Sequence, residues 1–279
     1  MKCFGKDGID MLIMKQDNPI CEINLKTGPT RFCELPPALY LEQGMDLDTC
    51  VMNLMNFQAW CAGRLLSLDR EHAKAILNSC GLAQAVTDKD RMNVALKYHC
   101  LSLKDFYWVQ GEEEGLSWNK VNLFDNSLNN IFVDTALFGK GITVENLLLA
   151  APDCATAGVF PKAWVRKNTG FLLYKSSDAI TDGVRKEVEA SQMLQRLGLS
   201  VLNYEYVWYD DTEVSACQCY TGKDCSYAEA GEIADSIGLP VPDKVYYTML
   251  LADYLIGNSD RHRGNWGFLY NTDLNLTDL

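Results

Sequence analysis

Two hydrophobic rhythms alternate along this chain, and the mix changes near residue 141. Asp10-Met-Leu-Ile-Met14 and Ile20-Cys-Glu-Ile-Asn24 read as short strands, punctuated by turns at Lys26-Thr-Gly-Pro29 and Leu35-Pro-Pro37. From Asp46 to about Leu82 the pattern is helical. Within it, Asp69 stands as an N-cap before a helix through Leu77, with Gly81 just past the end. A second helix is predicted over Asp88–Tyr98. An aromatic segment, Ser102-Leu-Lys-Asp-Phe-Tyr-Trp-Val109, follows, then an Asn-rich polar stretch from Asp125 to Lys140 and a short helix capped by Thr143. Beyond residue 150, strands are predicted over Lys162–Arg166 and Phe171–Lys175, joined by a turn at Asn168-Thr-Gly170. A helix over Asp182–Leu197 puts Ala190, Met193, Leu194 and Leu197 at i, i+3, i+4 and i+7, a buried stripe. Strands at Val201–Tyr209 and Val214–Tyr220 meet at the turn Tyr209-Asp-Asp-Thr212. The apolar run Val245–Ile256, interrupted by Asp253, is long enough for a buried helix, and Trp266-Gly-Phe-Leu-Tyr270 reads as a strand.

The last helix and strand bracket a polar loop, Gly257-Asn-Ser-Asp-Arg-His-Arg-Gly-Asn265. Asp260 and Asn265 stand in it at the spacing D-x-x-x-x-N. A lone pair at this spacing suits turn residues just as well. Protein kinases use the same spacing for chemistry: the Asp orients or deprotonates the attacking hydroxyl, and the Asn holds a Mg²⁺ that bridges the nucleotide phosphates. The longer run Leu255-Ile-Gly-Asn-Ser-Asp-Arg-His-Arg-Gly-Asn-Trp-Gly267 resembles the catalytic loop of the HipA-like serine/threonine protein kinases, known largely as toxins of toxin–antitoxin pairs. His262 belongs to that D-x-H-x-x-N pattern; structuring the loop is its expected part.

The resemblance implies further parts upstream, in order. Thr156-Ala-Gly158-Val-Phe-Pro-Lys162-Ala-Trp164 is similar to the family's phosphate loop, in which small residues let backbone N–H groups approach phosphate oxygens. The same residues also suit an ordinary hairpin. Lys175 occupies the strand-lysine position, which contacts the nucleotide phosphates, and Lys162 is a second cation suited to steering phosphate. Projected at 100° per residue, Glu187 falls beside Ala190 and Leu194, whereas Glu189 falls on the solvated side. A glutamate on an apolar stripe is costly unless paired. Either Glu187 reaches water at the stripe's edge, or it pairs with Lys175 as in the strand-lysine to helix-glutamate pair of kinases. Gln218–Thr221, including Tyr220, is expected at the hinge that holds an adenine edge. The segment Ser102–Val109 resembles one found ahead of the core in some members of the family.

Taken together, the expectation is an α+β protein: a HipA-like, protein-kinase-like core over residues 142–279 behind an N-terminal α+β region over 1–141. Its implied activity is transfer of the ATP γ-phosphoryl group to a protein Ser or Thr. Asp260 is its base or orienter, Asn265 its Mg²⁺ ligand, Lys175 the phosphate cation and Glu187 the positioner; ATP and Mg²⁺ are the cofactors. A protein substrate and an antitoxin-type partner are the implied partners. The N-terminal region, with no clustered carboxylates, His pair or glycine-rich loop, is expected to be a scaffold without a site of its own, dispensable for nucleotide affinity.

Composition narrows this picture. The chain has 279 residues, 48% hydrophobic and 22% charged, as in ordinary globular proteins. A formal charge of −12 argues against a general nucleic-acid surface. Eleven scattered cysteines and the absence of a hydrophobic segment after Met1 favour a reducing cytoplasm, and no run is long enough to span a membrane. Cys217, Cys219 and Cys225 match structural zinc spacings poorly and are expected as strand cysteines. One departure stands out. Kinases place a second metal-binding Asp on a strand after the Asn, yet Asp273 falls in a turn and Asp278 lies next to the last residue. The chain is therefore expected to be truncated, or to be a nucleotide-binding pseudokinase, and to bind Mg·ATP weakly and turn over poorly.

Overall fold

A computed structural model describes residues 11–24, 28–31, 33–44, 46–68, 70–79, 87–126, 131–140, 159–168, 170–178, 180–234 and 243–273. The expected phosphate-loop residues Thr156 and Gly158, the caps Asp69 and Gly81, and the short helix at Thr143 lie outside these.

Alternating apolar residues build the first sheet. Strands β1 (Met11–Lys15), β2 (Asn18–Asn24) and β3 (Gly28–Arg31) form an antiparallel meander. Helices α1 (Leu47–Gly63), α2 (Ala73–Ser79) and α3 (Asp88–Lys97) follow, and then β4 (Tyr107–Gln110), which pairs with β1 to give the order β3-β2-β1-β4. The helix starts are chemical. The Asp46 carboxylate accepts from the Thr49 amide at 2.9 Å, and Thr87 and Asp90 form a reciprocal capping box. Short helices α4 (Trp118–Val121) and α5 (Ile131–Phe138) lead to the second sheet.

That sheet contains β5 (Lys162–Lys167) and β6 (Gly170–Lys175), then α6 (Gly183–Arg196), then β7 (Tyr204–Tyr209) and β8 (Thr212–Gln218), in the order β5-β6-β8-β7. The β7–β8 turn is built by Asp210 and Asp211, both left-handed at φ 48° and 59°. Two such residues give the turn twist that a two-residue hairpin prefers, and Asp tolerates it. Finally β9 (Cys225–Glu229), α7 (Ala230–Ala234), α8 (Asp243–Ile256) and β10 (Gly267–Asn271) complete the described chain, with β9 and β10 paired. A Cβ on Gly267 would lie 2.0 Å from the Ala228 carbonyl oxygen, so only glycine permits this approach of β10 to β9.

Two sequence expectations are corrected. The buried stripe of α6 is Val184, Val188, Ser191 and Leu194; Met193 and Leu197 are exposed. The helix is rotated so that its β-branched first turns face the sheet. Helix α8 is not buried as a whole: Val245, Tyr247, Leu251 and Tyr254 are exposed, Tyr254 at 83%, and among its described side chains the buried one is the interrupting Asp253, at 5%. The apolar run reports helix formation, not coverage.

Two cores hold the layers together, and both cross residue 141. Ile13, Phe57, Phe106 and Trp108 pack in one cluster with Phe171, Ala228 and Tyr270. Leu66, Ile76 and Leu137 pack in another with Val165, Tyr174 and Val214. Burial of this kind is worth about 25 cal/mol per Å² of apolar surface, so the N-terminal region and the second sheet stabilise each other. No helix among the described residues is long and apolar enough to cross a membrane.

Candidate active site

Register first decides what faces Lys175. It ends β6, opposite Lys162 on β5 and opposite Ser215 on β8. Helix α6 then lays Glu187 over this strand end. The Lys175 ammonium donates to the Glu187 carboxylate, and to the Tyr204 hydroxyl at 3.1 Å. Ser215 Oγ donates to the other Glu187 oxygen at 2.7 Å. Glu187, not Glu189, is thus the paired glutamate; Glu189 lies in solvent with Arg185 at 3.1 Å. Burial opposes charge on Lys175, but Tyr204 and Glu187 outweigh it and hold the ammonium charged above its usual range.

Lys162 meets the opposite balance. It is buried, and burial together with Lys175 and Arg70 pushes it down to about 8, with Glu187 offsetting only part. Lys162 and Lys175 thus lie opposite each other at one sheet end, with the Glu187 carboxylate beside Lys175, an arrangement that suits a phosphate anion. An anion beside Lys162 favours its charged form, so anion affinity is full below pH 8 and falls as pH rises through that value. The expected result is a loss of nucleotide or pyrophosphate affinity between pH 7 and pH 9, with proton uptake on binding in calorimetry; Lys162→Met, with a pH-independent affinity, should flatten the profile. An unchanged wild-type affinity across that range would remove Lys162 from the anion site.

Gln218 closes β8, and the segment after it carries the chain from the four-stranded sheet to β9. Cys219 N–H donates to the Phe171 carbonyl at 2.8 Å, and the Tyr220 ring meets Tyr227 edge-on at 5.5 Å. Residues 218–221 thus run from the four-stranded sheet to the β9–β10 pair.

The polar loop between α8 and β10 is held from inside the helix. Asp253 accepts from Asn258 Nδ2 at 2.7 Å, from Arg261 Nε at 2.7 Å and from a second Arg261 nitrogen at 2.6 Å. Arg261, its hydrogen bonds foremost, lowers the Asp253 pKa. Asn265 closes the loop: its amide nitrogen donates to the Asp260 carbonyl, and its Oδ1 accepts from the His262 amide at 3.2 Å and from Arg261 at 3.4 Å. His262 Nδ1 accepts from the Gly264 amide at 3.0 Å. Asp260 is exposed. Asp260 and Asn265 are thus neighbours on one loop; among the described residues no hydrogen bond or ion pair joins them to Lys175 or Glu187.

Sequence reasoning missed four side chains of this site. Tyr204 and Ser215 lie in strands whose order no local pattern reveals. Asp253 reads as an interruption of an apolar run, although a carboxylate within such a run, seven residues before a D-x4-N, is a usable signal. Arg261 reads as loop charge.

Oxygen donors suit Mg²⁺, which takes one or two protein oxygens and completes its shell with phosphate and water. The Asp260 carboxylate and Asn265 Oδ1 are such donors; the two bonds that Oδ1 now accepts are long. Among the described residues there is no cluster of three or more His, Cys, Asp or Glu side chains that could hold a metal ion by itself.

No protein-family profile matches this chain, and neither does any curated protein. Solved structures do. HipA from the toxin–antitoxin system of Shewanella oneidensis MR-1, solved in complex with HipB and its operator DNA, is similar over 96% of this chain and 74% of its own, with a TM-score of 0.53 and 12% identity. The proinflammatory kinase CtkA of Helicobacter pylori matches over 44% of this chain with a TM-score of 0.37 and 22% identity; the matched part spans 54% of CtkA. The fold is of the mixed α/β, HipA kinase-like type.

Proposed function

We propose that this chain is a HipA-like kinase core that binds Mg·ATP and transfers phosphate to a Ser or Thr hydroxyl of a protein. The observation that carries the reading is the Lys175–Glu187 ion pair between β6 and α6, in a fold similar to HipA. Bound Mg·ATP supplies the phosphoryl group and a metal that neutralises charge on the phosphates. Lys175 binds phosphate oxygens, and Glu187, fixed by Ser215, keeps its ammonium aimed. Lys162 adds a second cation, and Thr156 and Gly158 offer backbone N–H groups. Gln218 and Tyr220 border the adenine. Asp260 accepts the proton of the attacking hydroxyl or orients it, and Asn265 Oδ1 is the metal oxygen. The likeness to HipA, which was solved with HipB, supports an antitoxin-type protein partner as well.

One observation favours a second reading, a nucleotide-binding module without catalysis: Asn265 spends both ends of its amide on the loop. Labelled-phosphate transfer to a generic Ser/Thr protein decides between the two, alongside calorimetry with Mg·ATP. Asp260→Ala should lower transfer by about 10²–10⁴-fold, the usual worth of a positioned acid–base group, with nucleotide affinity little changed. Binding without transfer by the unmodified chain would leave the second reading. Failure to bind Mg·ATP at all would overturn both.

A further inference from the structure

The segment Ser102–Val109 contributes no group to the candidate site, yet it is tightly held in the fold. Phe106, Tyr107 and Trp108 are fully buried, and Asp105 pairs with Arg64 at 2.7 Å. Those bonds lock the segment in place. Lys104 then points out of it towards the far end of the chain. Its ammonium donates to Glu232 at 2.8 and 3.0 Å and to Glu229 at 3.3 Å, across more than 120 residues of sequence. Its carbonyl accepts from the Tyr227 amide at 2.9 Å, and the Leu103 carbonyl accepts from the Thr221 hydroxyl in the hinge. The ammonium bridges two carboxylates that would otherwise repel each other, and the Glu229 amide donates to Glu232 as well, at 2.8 Å.

Glu229 and Glu232 flank the turn from β9 into α7, and that turn carries the polar loop. The Gly231 amide donates to the Arg263 carbonyl at 3.0 Å, and the Ala230 amide to the Trp266 carbonyl at 2.9 Å. A Cβ on Gly264 would come within 3.3 Å of the second Glu229 oxygen, so the carboxylate lies directly against the loop. From Lys104 to Asp260 the links are therefore an ion cluster, a tight turn and two backbone hydrogen bonds.

Resting on the kinase reading above, we infer that Lys104 is a positioning residue: it gathers Glu229 and Glu232 so that the β9–α7 turn holds the loop of Asp260 and Asn265 in working geometry. The N-terminal region then sets the site although it contributes no group to it. Lys104→Met removes the ammonium and keeps the stem, leaving two like charges at the turn. Amide hydrogen exchange on the full chain should quicken about tenfold or more at Ala230, Gly231 and residues 258–266, as expected when a charged hydrogen bond that closes a local unit is lost, and stay unchanged over α6. Lys104→Arg should restore slow exchange. If transfer is measurable, Lys104→Met should lower kcat by about 10²-fold, the effect of a misplacement near 1 Å, with KM for ATP nearly constant because Lys175 and Lys162 stand on another sheet. Should Lys104→Met fail to fold, Glu232→Gln tests the same cluster and should give the same local pattern. Unchanged exchange, acceleration spread evenly over the chain, or no rescue by arginine would each overturn the inference. Absence of any transfer by the unmodified chain would count against the kinase reading alone, because the exchange result stands apart from it.

Discussion

Asp253→Ala should cost about 2–4 kcal/mol of folding stability and release the loop that carries Asp260 and Asn265. The carboxylate is buried, and three side-chain donors converge on it from Asn258 and Arg261. Removing it leaves a guanidinium only a quarter exposed with no carboxylate, which is worse than never having had the pair. Urea denaturation of the two proteins measures the loss. Acid gives an independent check with a definite sign. The folded-state pKa of Asp253 is lowered, so its contribution is complete above the unfolded-state value near 4 and is lost as pH falls through the folded one. Wild-type stability should therefore drop below about pH 4 more steeply than that of Asp253→Asn, which holds no titrating charge there. Equal stability of Asp253→Ala and wild type at pH 7, with parallel acid profiles, would show that the loop is held by something else.

Lys175→Met should abolish measurable Mg·ATP binding and destabilise the fold by about 2–3 kcal/mol. The lost ammonium joins β6 to α6, and without it Glu187 keeps the Ser215 hydroxyl as its hydrogen-bond partner, with only the more distant charge of Lys162 beside it. The partly buried carboxylate, stripped of its ammonium, then draws α6 outward toward water. Lys175→Arg should not rescue binding, since a planar fork cannot serve Glu187, Tyr204 and a phosphate from the place of a compact ammonium. Glu189→Gln is the control: its exposed pair with Arg185 should contribute nothing measurable. Full nucleotide affinity in Lys175→Met would remove the lysine from the site and with it the main support for the kinase reading.

What the sequence revealed of this site depended on regular elements. Lys175 ends a strand and Glu187 lies on a helix; period put Glu187 on the inward side, and the kinase resemblance supplied Lys175 as its partner. Asp260 and Asn265 were legible because five positions of one loop fix their separation. Ser215 was not, because it reaches Glu187 only through the crossover that inserts β8 between β6 and β7 and sets Lys175 opposite it. Strand order is a property of the whole sheet, and no window of residues contains it. The helix α6 stripe was misjudged because Leu194 belongs to two candidate faces, and the choice of Val184 and Val188 over Met193 and Leu197 is made by the strands beneath. The exposure of α8 was equally out of reach, since an apolar helix has the same sequence whether or not another layer covers it. Lys104 and Glu232, 128 positions apart, carry no mutual signal at all.

The aromatic contact between Phe106 and Tyr270, with ring centres 5.8 Å apart, has a temporal side. A ribosome that has made the first sheet has not yet made one wall of its core. Phe106 stays uncovered on that side until synthesis passes residue 270, at about 5–20 residues per second, and the closing contact joins residues far apart in sequence. The emerging chain thus spends several seconds or more with apolar surface open, the interval in which holding chaperones act on nascent proteins.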